Sequence, residues 1–107
     1  MTSELPAAVQ QLIAATNSGD VEGFLGSFSD DGVVDDWGRE FRGREAIREW
    51  SDREYIGKQI TLDLTSSAVA GDSATVTTIV GGNGYNGPST FIFDVSGARV
   101  SRMTIRE

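Results

Sequence analysis

Two adjacent carboxylates, Asp35 and Asp36, stand in the run Val33-Val34-Asp35-Asp36-Trp37-Gly38. In an extended strand, neighbouring side chains point to opposite faces. If Val34 faces the core, Asp36 faces it too, while Val33 and Asp35 face the other way. A carboxyl group drawn into an apolar cavity holds its proton more tightly, and a carboxylate tuned in that way can act as a general base. Asp36 is therefore the candidate catalytic residue. The competing reading is structural: Asp36 pairs with Arg39, Arg42 or Arg48, or caps the Trp37-Gly38 step.

Composition narrows the remaining chemistry. The chain has no histidine and no cysteine. That removes disulfides, thiolate metal sites, Ser-His and Cys-His machinery and ordinary zinc sites, leaving carboxylates, tyrosines, lysine, arginine and backbone dipoles. The acidic stretch Asp30, Asp31, Asp35, Asp36 lacks the calcium-loop pattern, because neither Gly32 nor Gly38 falls at its sixth position. No metal site is expected and no cofactor is demanded. Gly82-Asn83-Gly84-Tyr85-Asn86-Gly87 matches G-x-G-x-x-G, but it lies between strand patterns and opens no helix whose N-terminus could hold a pyrophosphate. It reads as a β-connection with Asn-Gly turn steps, from which Tyr85 and Asn86 could overhang a pocket mouth. A net charge of −7 argues against nucleic acid as partner, since that affinity is built largely from Lys and Arg contacts.

These residues need elements to position them, and at 107 residues one domain covering 1–107 is expected. Leu5, Val9, Leu12 and Ile13 recur at helical spacing over Leu5–Thr16, and Asn17-Ser18-Gly19 supplies a stop. Asp20 caps a second helix presenting Val21, Phe24, Leu25 and Phe28. Ser29-Asp30-Asp31-Gly32 reads as a turn and Val33–Trp37 as a short strand ending near Gly38. Arg44–Glu54 carries a narrow apolar stripe of Ala46, Ile47 and Trp50 on a third helix. Period two then takes over, with Ile60, Leu62 and Leu64 on one face of a strand. Strands Ala74–Val80, Thr90–Val95 and Arg99–Ile105 follow, the last two joined through Ser96-Gly97-Ala98. Helices first and adjacent strands afterwards predict an α+β fold with a meandering antiparallel sheet. No apolar run reaches the ~20 residues of a membrane span, and Met1-Thr2-Ser3-Glu4 carries neither a basic n-region nor an apolar h-region, so a cytoplasmic location is expected.

Three strings in this order resemble the nuclear transport factor 2-like superfamily, and its SnoaL-like members in particular. They are Asn17-Ser18-Gly19-Asp20 between the first helices, Phe28-Ser29-Asp30-Asp31-Gly32 before the first strand, and Gly43-Arg44-Glu45-Ala46-Ile47-Arg48-Glu49-Trp50 opening the third helix. The resemblance implies a cone of curved antiparallel sheet wrapped around the helices, a cavity between them, and homodimers formed through the sheet. It also implies that Asp36 corresponds to the base of ketosteroid isomerase, in which a Tyr and a protonated Asp hold the enolate oxygen. Here that tyrosine position falls on Leu12 and that acid near Ser89, so steroid isomerase activity is not expected. The polyketide cyclases of the SnoaL group need an acid/base carboxylate more than that donor pair, and Asp36 is compatible with them. An epoxide hydrolase of the superfold would need two carboxylates flanking an arginine across neighbouring strands, a trio that the sequence does not reveal.

The expected function is a partly apolar pocket for a small apolar or aromatic organic molecule, with Asp36 as proton acceptor in cyclase, isomerase or dehydratase chemistry. Trp37, Trp50, Leu12, Ser89, Phe91 and Tyr85 are its expected neighbours, although aromatics at these positions also suit plain core packing. The alternative is a non-catalytic ligand-binding or dimerisation module in which Asp36 is structural.

Overall fold

The computed structural model describes residues 5–107. The opening Met1–Glu4, read above for targeting, lies outside the described residues. Helix α1 spans Ala7–Ser18 and ends at Gly19, whose φ of 73° is the left-handed conformation that a residue without Cβ adopts freely. The next N–H, from Asp20, reaches back to the Ala15 carbonyl at 2.8 Å. Asp20 then caps α2, Val21–Gly26, by accepting the Gly23 N–H at 3.0 Å.

Phe28 does not belong to this second helix. It opens strand β1, Phe28–Asp36. The Val100 N–H donates to the Ser27 carbonyl at 2.7 Å, so sheet pairing captures the chain directly after α2. Nor is Ser29-Asp30-Asp31-Gly32 a turn ahead of the strand, since it lies within β1. Against the last strand, β1 steps five residues from Phe28 to Val33 where its partner steps two, from Val100 to Arg102, so the acidic segment is taken up as a bulge.

A further strand, β2 at Arg39–Arg42, was not expected from the sequence. It turns back on β1 through Trp37 (φ 57°) and Gly38 (φ 91°), with Asp36 directly opposite Arg39. Two positive φ angles make the tight hairpin turn whose twist suits paired strands. Helix α3 is Arg44–Glu54, followed by a 3-10 turn at Ile56–Lys58. Strands β3 (Thr61–Ala70), β4 (Ser73–Gly81), β5 (Gly87–Ser96) and β6 (Arg99–Arg106) complete the chain. Strand β5 starts earlier than Thr90 and takes Pro88 and Ser89 into the sheet. Leu64 is exposed, next to a register shift in β3.

The sheet order is β2-β1-β6-β5-β4-β3. Every pairing is antiparallel except β1 with β6, so the curved, unclosed sheet is mixed rather than wholly antiparallel. The chain returns to β1 only after α3 and three more strands, and that crossover runs the last strand in the same direction. Helix α1 contacts β3, β5 and β6, and α3 contacts β1 and β2. Val34, Val76, Phe91, Phe93 and Met103 alternate onto the covered face and form one core with Val9, Leu12, Phe24, Ile47 and Trp50. The architecture is the expected α+β fold of three helices and a curved sheet.

Candidate functional site

Period two along three strands sets one wall of a cavity. Asp36 pairs with Ile105, and Ile105 pairs with Phe91, so these side chains form a row across the same face of β1, β6 and β5. Trp50 and Tyr55 close the wall from α3 and its end, and Ser89, Val80, Ile60, Trp37 and Tyr85 complete a cavity of about 420 Å³. That volume is within the ~300–1,000 Å³ of small-molecule sites. The lining combines aromatic faces with a few charged groups, namely Asp36, Arg53, Glu54 and Lys58.

Asp36 shares its face with Val34, as period two requires, and its side chain is 16% exposed. Two donors converge on Oδ2: the Trp50 indole N–H at 3.1 Å, and Nη2 of Arg39, brought opposite by the two-residue hairpin turn. Among the described residues, no hydrogen bond reaches Oδ1. Arg39 also grips Glu54 with both terminal nitrogens, at 2.7 and 3.1 Å. This arginine lies beside the Glu54 carboxyl and holds it below its ordinary value against the opposing effect of burial. Two carboxylates therefore flank an arginine beside the cavity. They come from β1 and from the last turn of α3 rather than from neighbouring strands.

Behind Asp36 lies a column of aromatic rings. Phe41 stacks on Trp50 at 6.0 Å, Trp50 on Tyr55 at 4.9 Å, and Tyr55 meets Phe24 at 5.1 Å. The Tyr55 hydroxyl is 3.1 Å from Thr16 Oγ1 and is buried, which pushes its pKa well above the ordinary phenol value. A phenol so placed stays neutral and structural at physiological pH.

Six of the seven expected residues line the cavity: Asp36, Trp37, Trp50, Ser89, Phe91 and Tyr85. Leu12 does not. It is fully buried in the core, because the inward stripe of α1 packs beneath the sheet rather than reaching the open end. Ser89 lines the wall, but its hydroxyl donates to the Arg106 carbonyl at 2.7 Å. Trp37 and Tyr85 are half-exposed at the rim, 56% and 50% respectively. Tyr85 is held there by its hydroxyl, which donates to the Pro88 carbonyl at 2.8 Å. Among the described residues, no cluster of three or more acidic side chains could hold a metal ion.

The second acid, Asp35, is engaged on the opposite face. Arg106 contacts its two oxygens at 2.9 and 3.2 Å, the Gly38 N–H donates at 2.7 Å and Arg102 at 2.6 Å. Arg106 foremost, then the Gly38 amide and Arg102, outweigh the effect of burial and lower its pKa to about 2. Asp35 is a structural anion between strands.

A mixed, curved sheet over three helices with a ligand-sized cavity at its open end defines a pocketed α+β roll. Residues 9–103 match the SnoaL-like domain family, and the chain belongs to it. A candidate polyketide cyclase from Sinorhizobium meliloti is 27% identical, with a TM-score of 0.84 over 95% of both chains. A protein of ketosteroid isomerase-like fold from Catenulispora acidiphila, solved with trimethylamine, is 21% identical, with a TM-score of 0.82 over 97% of this chain and 87% of that one. A computationally designed 17-OHP binder is 19% identical, with a TM-score of 0.80 over 94% and 87% of the two chains. No curated protein matches the chain.

Proposed function

We propose that the cavity binds a small, largely apolar organic molecule and that Asp36 accepts a proton from it, in chemistry of the cyclase, isomerase or dehydratase type. One observation carries this reading: Asp36 lines an aromatic-walled cavity with Oδ2 held by Trp50 and Arg39 and Oδ1 without a donor among the described residues. Fixing one oxygen orients a carboxylate and leaves the other for a substrate proton, which is the geometric requirement for a general base. Likeness to a candidate polyketide cyclase and to a computationally designed 17-OHP binder supports the same use of the fold. The ion pair with Arg39 favours a second reading, a binding module without turnover in which Asp36 serves the hairpin. A homodimer through the outer sheet face, where Ile79 is half-exposed, and a cytoplasmic location complete the proposal. No helix among the described residues is long and apolar enough to cross a membrane.

The test uses the two tryptophans of the chain, both of which line the cavity. Their indole N–H signals in a nitrogen-15 correlation spectrum should both move when an enolisable ketone, a polyketide-like aromatic or an epoxide is titrated in. The epoxide is included because of the Asp36-Arg39-Glu54 trio. A panel of such compounds that binds and moves neither signal would remove the cavity as the site.

A further inference from the structure

Charge is unevenly placed in this acidic protein. Of its nine lysines and arginines, Arg39, Arg44, Arg48, Arg102 and Arg106 pair with carboxylates. Arg42, Arg53, Lys58 and Arg99 form no ion pair among the described residues, even though carboxylates outnumber cations sixteen to nine. Two of these four, Arg53 and Lys58, line the cavity, and neither side chain makes a hydrogen bond to a described residue. They flank Tyr55 at the end of α3 and in the 3-10 turn that follows, a segment that also supplies Trp50 and Glu54 to the lining. Arg53 stands in the last turn of α3, where a cation is favourable whatever occupies the cavity. Lys58 lies beyond that helix, so the helix end does not account for the pair.

Counting the charges at the cavity sharpens the point. Asp36 and Glu54 share Arg39, which leaves that trio with one net negative charge, and Arg53 and Lys58 more than offset it. The four charged groups of the lining thus sum to zero, and with Arg39, which pairs with both acids from outside the lining, the site carries one positive charge in a protein of net charge −7. Local cations beside low-dielectric walls attract and orient an anion even when the overall charge would repel it.

Resting on the pocket proposed above, we infer that the ligand is an apolar, aromatic-sized body carrying one anionic group, such as a carboxylate, which Arg53 and Lys58 receive at the mouth. The apolar body lies against Trp50, Tyr55, Phe91 and Ile105, and its reacting carbon comes to Asp36.

Anilinonaphthalene sulfonate and its neutral parent, phenylnaphthylamine, share one ring skeleton and differ by the anion, so the comparison isolates the charge. At low ionic strength the sulfonate should bind about fivefold or more tightly than the neutral compound, and the advantage should shrink at physiological salt as the Debye length falls to ~8 Å. The double variant R53Q/K58Q should lose that advantage while keeping the affinity for phenylnaphthylamine. K58Q alone should lose part of it, and R42Q/R99Q, matched in charge but away from the cavity, should keep it all. Neutral binding equal to or tighter than sulfonate binding, or an advantage that survives R53Q/K58Q, overturns the inference and leaves the pocket standing. If neither probe moves the Trp37 and Trp50 indole signals, the pocket reading falls and the inference falls with it.

Discussion

The indole of Trp50 donates to Asp36 Oδ2 at 3.1 Å while its ring stacks on Tyr55 at 4.9 Å, so one side chain packs the core and holds the acid. This couples the stability of the domain to the geometry of its cavity. Trp50→Phe keeps most of the stacking and removes the donor. A hydrogen bond to a charged acceptor is worth about 1.5–3 kcal/mol, so urea denaturation should show a loss in that range with an unchanged m-value. Trp50→Ala should lose about 3–5 kcal/mol through the cavity it leaves. A Trp50→Phe variant as stable as the parent would contradict the role given to the indole N–H.

Asp35 predicts a pH dependence. Its pKa is lowered from 3.8 to about 2 in the folded state, first by Arg106 and then by the Gly38 amide and Arg102. A group with a depressed folded pKa stabilises the fold above its unfolded value and loses that contribution as pH falls through the folded one. Stability should therefore decline between about pH 4 and pH 2, by roughly 1–2 kcal/mol from this residue once the partial exposure of both arginines is allowed for. Asp35→Asn should be less stable than the parent at pH 7 and show a flatter profile over that window. A parallel profile would assign the acid sensitivity to other carboxylates.

Trp37 should show a trade between stability and binding. Its φ of 57° is an uncommon backbone for a bulky residue, and about 1 kcal/mol of strain is expected there. Asn suits the first position of this turn and makes the favoured Asn-Gly pair with Gly38. Trp37→Asn should raise Tm by a few degrees while weakening binding of an aromatic ligand, because half-exposed Trp37 forms the rim. Scanning and titration calorimetry on one sample would check both halves; a lower Tm would deny the strain.

Dimerisation through the sheet makes a separate prediction. Ile79 is 47% exposed on β4. Ile79→Glu should shift the sedimentation coefficient from dimer to monomer without altering the fold, and a parent that sediments as a monomer would remove the proposal.

The parts that could be read from the sequence depended on local periodicity. Val34 and Asp36 share a face because strands alternate, and the helix stop at Gly19 and the helix start at Asp20 follow from local capping chemistry. Phe28 and the acidic bulge were misassigned because pairing with β6, some seventy residues away, decided their conformation. Strand β2 was missed because Trp-Gly is not a standard hairpin pair, and without that hairpin nothing in the sequence separated Arg39 from Arg42 and Arg48 as the partner of Asp36. Glu54, Arg53 and Lys58 reach the cavity only through the docking of α3 across the sheet, a non-local fact. Leu12 followed from a resemblance and proved to be core.

The role of Asp36 is tested most directly by exchange of α-protons for deuterium in a bound enolisable ketone, comparing the parent with Asp36→Asn. A positioned general base contributes about 100- to 10,000-fold, so the variant should lose exchange by that order while its ligand affinity stays within about threefold. Exchange at the parent rate in Asp36→Asn, with the ketone still seated at Trp37 and Trp50, would contradict the account and leave the domain a binding module.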